Sequence, residues 1–215
     1  MADKDINYST EGFFITLEGI DGSGKTLAAQ KLADYLSAGG HKVLLTREPG
    51  GSDIGREIRQ MLLHSPKERD PLTEALLFAA DRAEHVAFCI LPALNAGTIV
   101  ICDRFTDSTV AYQGGGRGFS IEQINTLNDI AAHGLKPDLT FYLSVSQEIA
   151  MTRRKAVADR MEQEDLYFYS HVAACYNRLA EEEPDRIKII DANADPQQVF
   201  EDILRHLPPQ LRNRS

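Results

Sequence analysis

Residues Gly19 to Thr26 read Gly-Ile-Asp-Gly-Ser-Gly-Lys-Thr, an instance of the pattern G-x-x-x-x-G-K-[ST]. That spacing suits one kind of chemistry. The glycines let the backbone curl until several N–H groups converge on phosphate oxygens, and a helix starting directly behind them adds its dipole. Lys25 has the reach and charge for the outer phosphates of a nucleoside triphosphate, and the Thr26 hydroxyl is a hard oxygen ligand for Mg²⁺. Gly19, Ile20, Asp21, Gly22, Ser23, Gly24, Lys25 and Thr26 together are therefore the expected phosphate cradle.

Other side chains could complete such a site. Asp103 ends the apolar run Ile99-Val100-Ile101-Cys102, where a carboxylate can stand beside a metal held by Thr26. A capping aspartate is the plainer alternative. Arg104 follows it, a fork of donors able to clamp a phosphate bidentately or to make a surface ion pair. Arg47 lies in the turn Thr46-Arg47-Glu48-Pro49-Gly50-Gly51, which could bring it to a second anion or leave it solvated. Arg153, Arg154, Lys155 and Arg160 form a basic cluster. It reads either as a lid that neutralises charge on a transferring phosphoryl group or as a solvated face. Phe78 and Arg82 are four apart on a helical pattern and share a face. Pattern alone favours a core phenylalanine and a surface arginine over a nucleobase site. The run Tyr112-Gln113-Gly114-Gly115-Gly116-Arg117-Gly118 reads as close backbone approach or a flexible loop rather than a packed element.

The elements that must position these groups are legible too. Nearly continuous apolar runs, Phe13–Glu18, Lys42–Thr46, Thr98–Asp103, Leu139–Val145 and Ile187–Asp191, suggest strands covered on both faces. Helical patterns fill the gaps at Thr26–Ala38, Ile54–Leu63, Pro71–Asn95, Ile121–Ala132, Gln147–Arg154, Glu164–Glu182 and Gln197–Leu207. Alternation predicts an α/β fold with a parallel sheet and helices on both faces. Ligands bind such sheets at the carboxyl ends of the strands, and that is where the P-loop, Arg47, Asp103-Arg104 and the basic cluster fall.

The chain has 215 residues, one domain's worth, with 43% hydrophobic and 26% charged content. A formal net charge of −9 argues against nucleic acid or an anionic membrane as partner. No apolar run approaches the ~18 residues of a membrane span. Cys89, Cys102 and Cys175 have no zinc or redox spacing, and read as free thiols in a reducing cytoplasm. Residues 1–12 lack a signal-peptide core and read as a flexible lead-in, and 208–215 as a frayed tail.

The segments 18–26, 46–51, 103–105, 112–118 and Asp159-Arg160-Met161-Glu162 together resemble the bacterial thymidylate kinase family, over nearly the whole chain from Phe13 to about Leu207. The P-loop alone is widely shared; the second and fourth segments are far narrower. The resemblance implies a three-layer P-loop NTPase fold, with a five-stranded parallel sheet, helices on both faces and a short lid near 151–163 within a 13–207 domain. It implies transfer of the γ-phosphoryl of ATP to dTMP with Mg²⁺, in a homodimer. By resemblance, Phe78 would stack on thymine, and Arg82 with Ser108 or Thr109 would read its polar edge. Tyr112 would sit against the deoxyribose with Gln113 nearby. Arg104 would hold the acceptor phosphate with Arg47 as a possible helper, and Asp21 would face the acceptor's sugar and phosphate. The P-loop has no arginine, so the chain resembles the type that places a catalytic arginine in the lid, with Arg153 the best match and Arg154 and Arg160 beside it. A kinase for another nucleoside monophosphate, or a nucleotide-gated switch, remain alternatives, although no guanine-reading Asn-Lys-x-Asp run occurs.

Overall fold

The computed structural model describes residues 11–65, 69–153, 160–161 and 164–212. Strand β1 (Phe13–Glu18) forms the centre of a five-stranded sheet with β2 (Val43–Arg47), β3 (Ile99–Asp103), β4 (Leu139–Ser144) and β5 (Ile187–Asp191), in the order β2-β3-β1-β4-β5. All four pairings are parallel. Register aligns the carboxyl ends: Leu17 and Arg47 both pair with Asp103, and Glu18 pairs with Tyr142. The loops after β1, β2 and β3 therefore leave the sheet side by side.

Alternation along β1 divides the core. Ile15 and Leu17 pack with Ala28, Leu32 and Leu36 of helix α1 (Lys25–Ala38), while Phe14 packs with Val86, Ile90, Val100 and Phe105. Between the two inward-facing hydroxyls of Thr16 and Thr140 a 2.7 Å hydrogen bond satisfies both in the interior. A further apolar cluster joins helix α2 (Asp53–Arg59) to the segments that surround the candidate site.

The expected elements are present, with shifts that have physical causes. The pattern Pro71–Asn95 is one helical path in three parts: α3 (Pro71–His85), a wider π-helical stretch Val86–Ile90, and α4 (Leu91–Asn95). Pro92 has no N–H to donate and its ring would crowd the carbonyl four residues back, so the wider turn falls just before it. The glycine run is also helical. A short α5 (Thr106–Thr109) continues as a π-helical stretch, Val110–Gly116, before α6 (Ile121–Ala132). Close backbone approach holds, but the segment is a packed helical element with Val110 to Gly114 buried, contrary to the expectation of no packed element here. A Cβ on Gly116 would lie 2.3 Å from the Phe168 ring, so the glycines let this segment press against α8 (Leu166–Glu182). Helix α7 (Gln147–Arg153) precedes α8, and α9 (Pro196–His206) ends in a turn, Pro209–Leu211, that buries Leu211 in the α1 side of the core. Apolar Leu211 thus anchors part of the stretch expected to fray.

Candidate active site

Helices α2, α3, α6, α8 and α9 each have a side chain accepting from their first-turn amides, from Ser52, Asp70, Ser120, Asp165 and Asp195. Helix α1 has none. Its N-cap is Gly24, at φ 92°, which like the caps of the short α4 and α5 offers no side-chain acceptor, so at the P-loop no cap side chain competes with an anion for these N–H groups. Gly22 shows why the loop needs glycine: at φ 87° a Cβ there would lie 2.2 Å from the Ala150 carbonyl oxygen. Lys25 folds back on the loop, donating to the Ile20 carbonyl at 2.8 Å. Burial pushes its pKa down to about 8, assisted by the Arg104 charge and opposed by Asp21, Asp103 and Glu18. Thr26 donates to the Asp103 carboxylate at 2.5 Å. A hydroxyl and a carboxylate at a surface facing the loop are hard oxygen donors, suited to a Mg²⁺ that keeps most of its shell as water and phosphate.

Arg104 is the hub of the second half. It stands at φ 75°, uncommon for a residue with a side chain, in the turn leaving β3. Two contacts over-determine that turn: the Arg104 amide donates to Leu17 O at 3.0 Å, and the Phe105 amide donates to Glu18 Oε1 at 2.7 Å. The guanidinium then reaches the Gly19 carbonyl (3.0 Å), the Ser108 hydroxyl (3.1 Å), the Asp21 carboxylate (2.5 Å) and the Tyr112 hydroxyl (3.2 Å). Burial opposes its charge, but Asp21, with Tyr112, Tyr176 and Asp103 beyond it, holds its pKa well above the ordinary value. The reverse influence acts on Asp21: burial would raise its pKa, but Arg104 and Lys25 hold it down at about 2. Glu18, fully buried, is pushed up to about 7 by burial and by Asp107, against hydrogen bonds from Ser108 and the Phe105 amide.

Behind Arg104 opens a cavity lined by Asp21, Pro49, Arg59, Phe78, Arg82, Ser108, Thr109, Tyr112, Gln113 and Met161 among others. Phe78 supplies an aromatic wall. Arg82 is buried, contrary to the surface position its pattern suggested, because Glu48 (2.9 Å), Thr109 (2.9 Å) and Asn128 (2.6 Å) all accept from its guanidinium. The result is a phosphate cradle and an aromatic, polar-edged cavity meeting at one arginine, a layout for moving a phosphoryl group between two nucleotides.

The family model described as thymidylate kinase matches residues 17–203. The chain belongs to the thymidylate kinase family. It is 48% identical over 198 residues to the thymidylate kinase of Synechococcus sp. (strain JA-3-3Ab), covering 92% of this chain and 96% of that one. It is 45% identical over 206 residues to that of Exiguobacterium sibiricum, covering 94% and 97%. The crystal structure of thymidylate kinase from Ehrlichia chaffeensis superposes with a TM-score of 0.77 at 38% identity, covering 90% of this chain and 97% of that one.

Within this family site the sequence-derived residues divide. Gly19–Thr26, Asp103, Arg104, Phe78, Arg82, Ser108, Thr109, Tyr112 and Gln113 converge on the cradle and the cavity. Arg47 does not line the cavity. It is exposed and lines a separate groove with Thr26 and Asp103, while the next residues, Glu48 and Pro49, turn into the cavity. Arg153 ends α7 and donates to the Ala192 carbonyl at 2.7 Å. Arg160 is bound to Glu74 and to the Leu62 carbonyl and does not line the cavity. Arg154 lies outside the described residues. Sequence reasoning missed Arg59, which enters the cavity beside Pro49, and Glu18, which pins the Arg104 turn. Glu18 did carry a signal, as a carboxylate closing an otherwise apolar strand.

Proposed function

We propose that the site transfers the γ-phosphoryl group of ATP to dTMP, giving dTDP and ADP, with the cradle taking the triphosphate and the cavity taking the acceptor. Family membership carries the reaction. The observation that supports the placement is Arg104, fixed by the β3 turn where the P-loop and the cavity meet.

The α1 amides and Lys25 bind the donor's β- and γ-phosphates. Thr26 and Asp103 would hold Mg²⁺, which would supply charge neutralisation at the outer phosphates. Arg104 binds the acceptor phosphate, whose charge would otherwise repel ATP, and Asp21 and Tyr112 keep the guanidinium aimed. Phe78 stacks on the base and Arg82 reads its polar edge. Tyr112 closes the sugar side. Little covalent work is left to the protein: transfer is loose, and positioning with charge neutralisation dominates. A basic residue of the 151–163 segment, Arg153 first among them, meets the transferring group.

The exposed apolar side chains Ile54, Leu72, Leu76 and Phe88, on α2, α3 and the turn after it, support a homodimer. Free cysteines and, among the described residues, no helix long and apolar enough to cross a membrane support a cytoplasmic place. The test is ADP formation from Mg·ATP with dTMP, dUMP, dCMP, UMP and AMP in turn. A strong dTMP preference is expected, and preference for another monophosphate would overturn the cavity assignment.

A further inference from the structure

Glu74 does not line the cavity, yet it binds Gln113, which does, together with Arg117 and Arg160. It is 1% exposed, on α3, one helical turn before Phe78. Its Oε1 accepts from Gln113 Nε2 at 3.0 Å and from Arg117 Nε at 3.1 Å; its Oε2 accepts from Arg117 Nη2 at 3.2 Å and from Arg160. Burial alone would raise its pKa, but the Arg117 and Arg160 hydrogen bonds and the Arg117 charge hold it below the usual carboxylate range. Glu74 is therefore an ionised, acceptor-only group.

An acceptor-only neighbour decides which way an amide points. Gln113 must turn its nitrogen to Glu74, which leaves its carbonyl oxygen facing away. Gln113 is 1% exposed and lines the cavity, so the amide is held in a tight site. We propose that Glu74 is a positioning residue for base selection: by fixing the Gln113 amide, it makes the cavity offer an acceptor to an imide N–H of the substrate base. Thymine and uracil have such an N–H. Cytosine has a bare ring nitrogen there, an acceptor that would face another acceptor. Glu74 also steadies the wall beside Gln113. Arg160, bound to Glu74 and the Leu62 carbonyl, precedes Met161, which is buried, lines the cavity and accepts through its carbonyl from Tyr169 at 2.9 Å.

This inference rests on the dTMP kinase reading, and the test separates the two. In Glu74→Gln the new amide can donate as well as accept, so Gln113 is free to turn over. Arg117 keeps Glu164, and Arg160 keeps the Leu62 carbonyl, so neither cation is left bare. The readout is the ratio of kcat/KM for dTMP over dCMP. The ratio should fall about tenfold or more in Glu74→Gln, the scale of one hydrogen bond exchanged for an acceptor–acceptor contact. Arg117→Gln removes charged bonds to Glu74 but leaves the Gln113 tie, and should keep the wild-type ratio while lowering stability. If Glu74→Gln does not fold, Glu74→Asp, one methylene short of Gln113, carries the same expectation. An unchanged ratio in the Glu74 variant, or an equal fall in Arg117→Gln, overturns the proposal. A wild-type enzyme inactive on dTMP would instead overturn the reading beneath it.

Discussion

Gly116→Ala puts the contact between the glycine run and α8 to the test. The Gly116 backbone is outside the left-handed region, so alanine fits its dihedral angles and only space is at issue. The added Cβ would meet Phe168 at 2.3, 2.6 and 3.0 Å. Phe168 cannot yield freely: it is buried, Arg117 lies over its ring at 4.9 Å, and its ring stands 6.0 Å edge-on from that of Tyr112. Overpacking of this kind costs about 1–3 kcal/mol. Alanine's better helix propensity returns at most about 1 kcal/mol. Overpacking wins, with a net loss of about 1–2 kcal/mol and a Tm lower by roughly 2–8 °C for a chain of this size. A displaced Phe168 also pushes Tyr112, so KM for dTMP should rise on the order of tenfold while KM for ATP holds. Gly118→Ala is the control. Its φ is 80° and no atom lies within 4 Å of the added Cβ, so it loses about 1–2 kcal/mol through backbone strain and leaves KM alone. Thermal melts and acceptor kinetics on both variants decide the matter. Wild-type Tm and KM in Gly116→Ala would refute the packing argument.

Arg104→Ala and Lys25→Ala should each lose 10²–10⁴-fold in rate, on the order of several kcal/mol of transition-state stabilisation, measured as ADP formed at saturating substrates; wild-type turnover in either would contradict the assignment. Lys25, with its pKa at about 8 against an ordinary 10.5, is partly neutral above pH 8, and the triphosphate's charge should restore its proton. ATP binding between about pH 8 and 10.5 should therefore take up a proton, visible as a binding enthalpy that tracks buffer ionisation, and buffer-independent heats would count against it. The same shift makes the unfolded chain bind the extra proton over that window, so this group's contribution to stability rises with pH there. Chelation with EDTA should abolish turnover and Mg²⁺ restore it, and Thr26→Ala should raise the Mg²⁺ needed for half-maximal rate.

The fold was readable because its signals are local. Five apolar runs, each closed by a turn residue or a charge, suffice to name buried parallel strands. The P-loop was readable for the same reason, since a single turn contains all its parts. What stayed hidden depends on pairings distant in the chain. Glu18 and Phe105 are 87 residues apart, and Glu74 and Arg160 are 86 apart, so no window shows either pair. Arg82 was misjudged because an i, i+4 pattern ranks a charged residue as surface until Glu48, Thr109 and Asn128 are seen around it. Arg47 is a different case. The loop after β2 does reach the cavity through Glu48 and Pro49, but Arg47, the last residue of the strand, lines the groove beside Asp103 instead.

The charges of the free site explain why it can wait for two anions without collapsing. Lys25 and Arg104 repel each other, and part of the low Lys25 pKa is that repulsion. Asp21 sits against Arg104, ionised down to about pH 2, and keeps the guanidinium in place without a ligand. In the proposed role, Arg104 meets the acceptor phosphate already aimed, so little ordering would remain to oppose binding. The α1 amides proposed to take the donor phosphate carry no side-chain cap. Each anion also removes part of the cation repulsion that burdens the other's site. The two substrates should therefore bind more tightly together than apart, despite their like charge, as long as Arg104 stands between them.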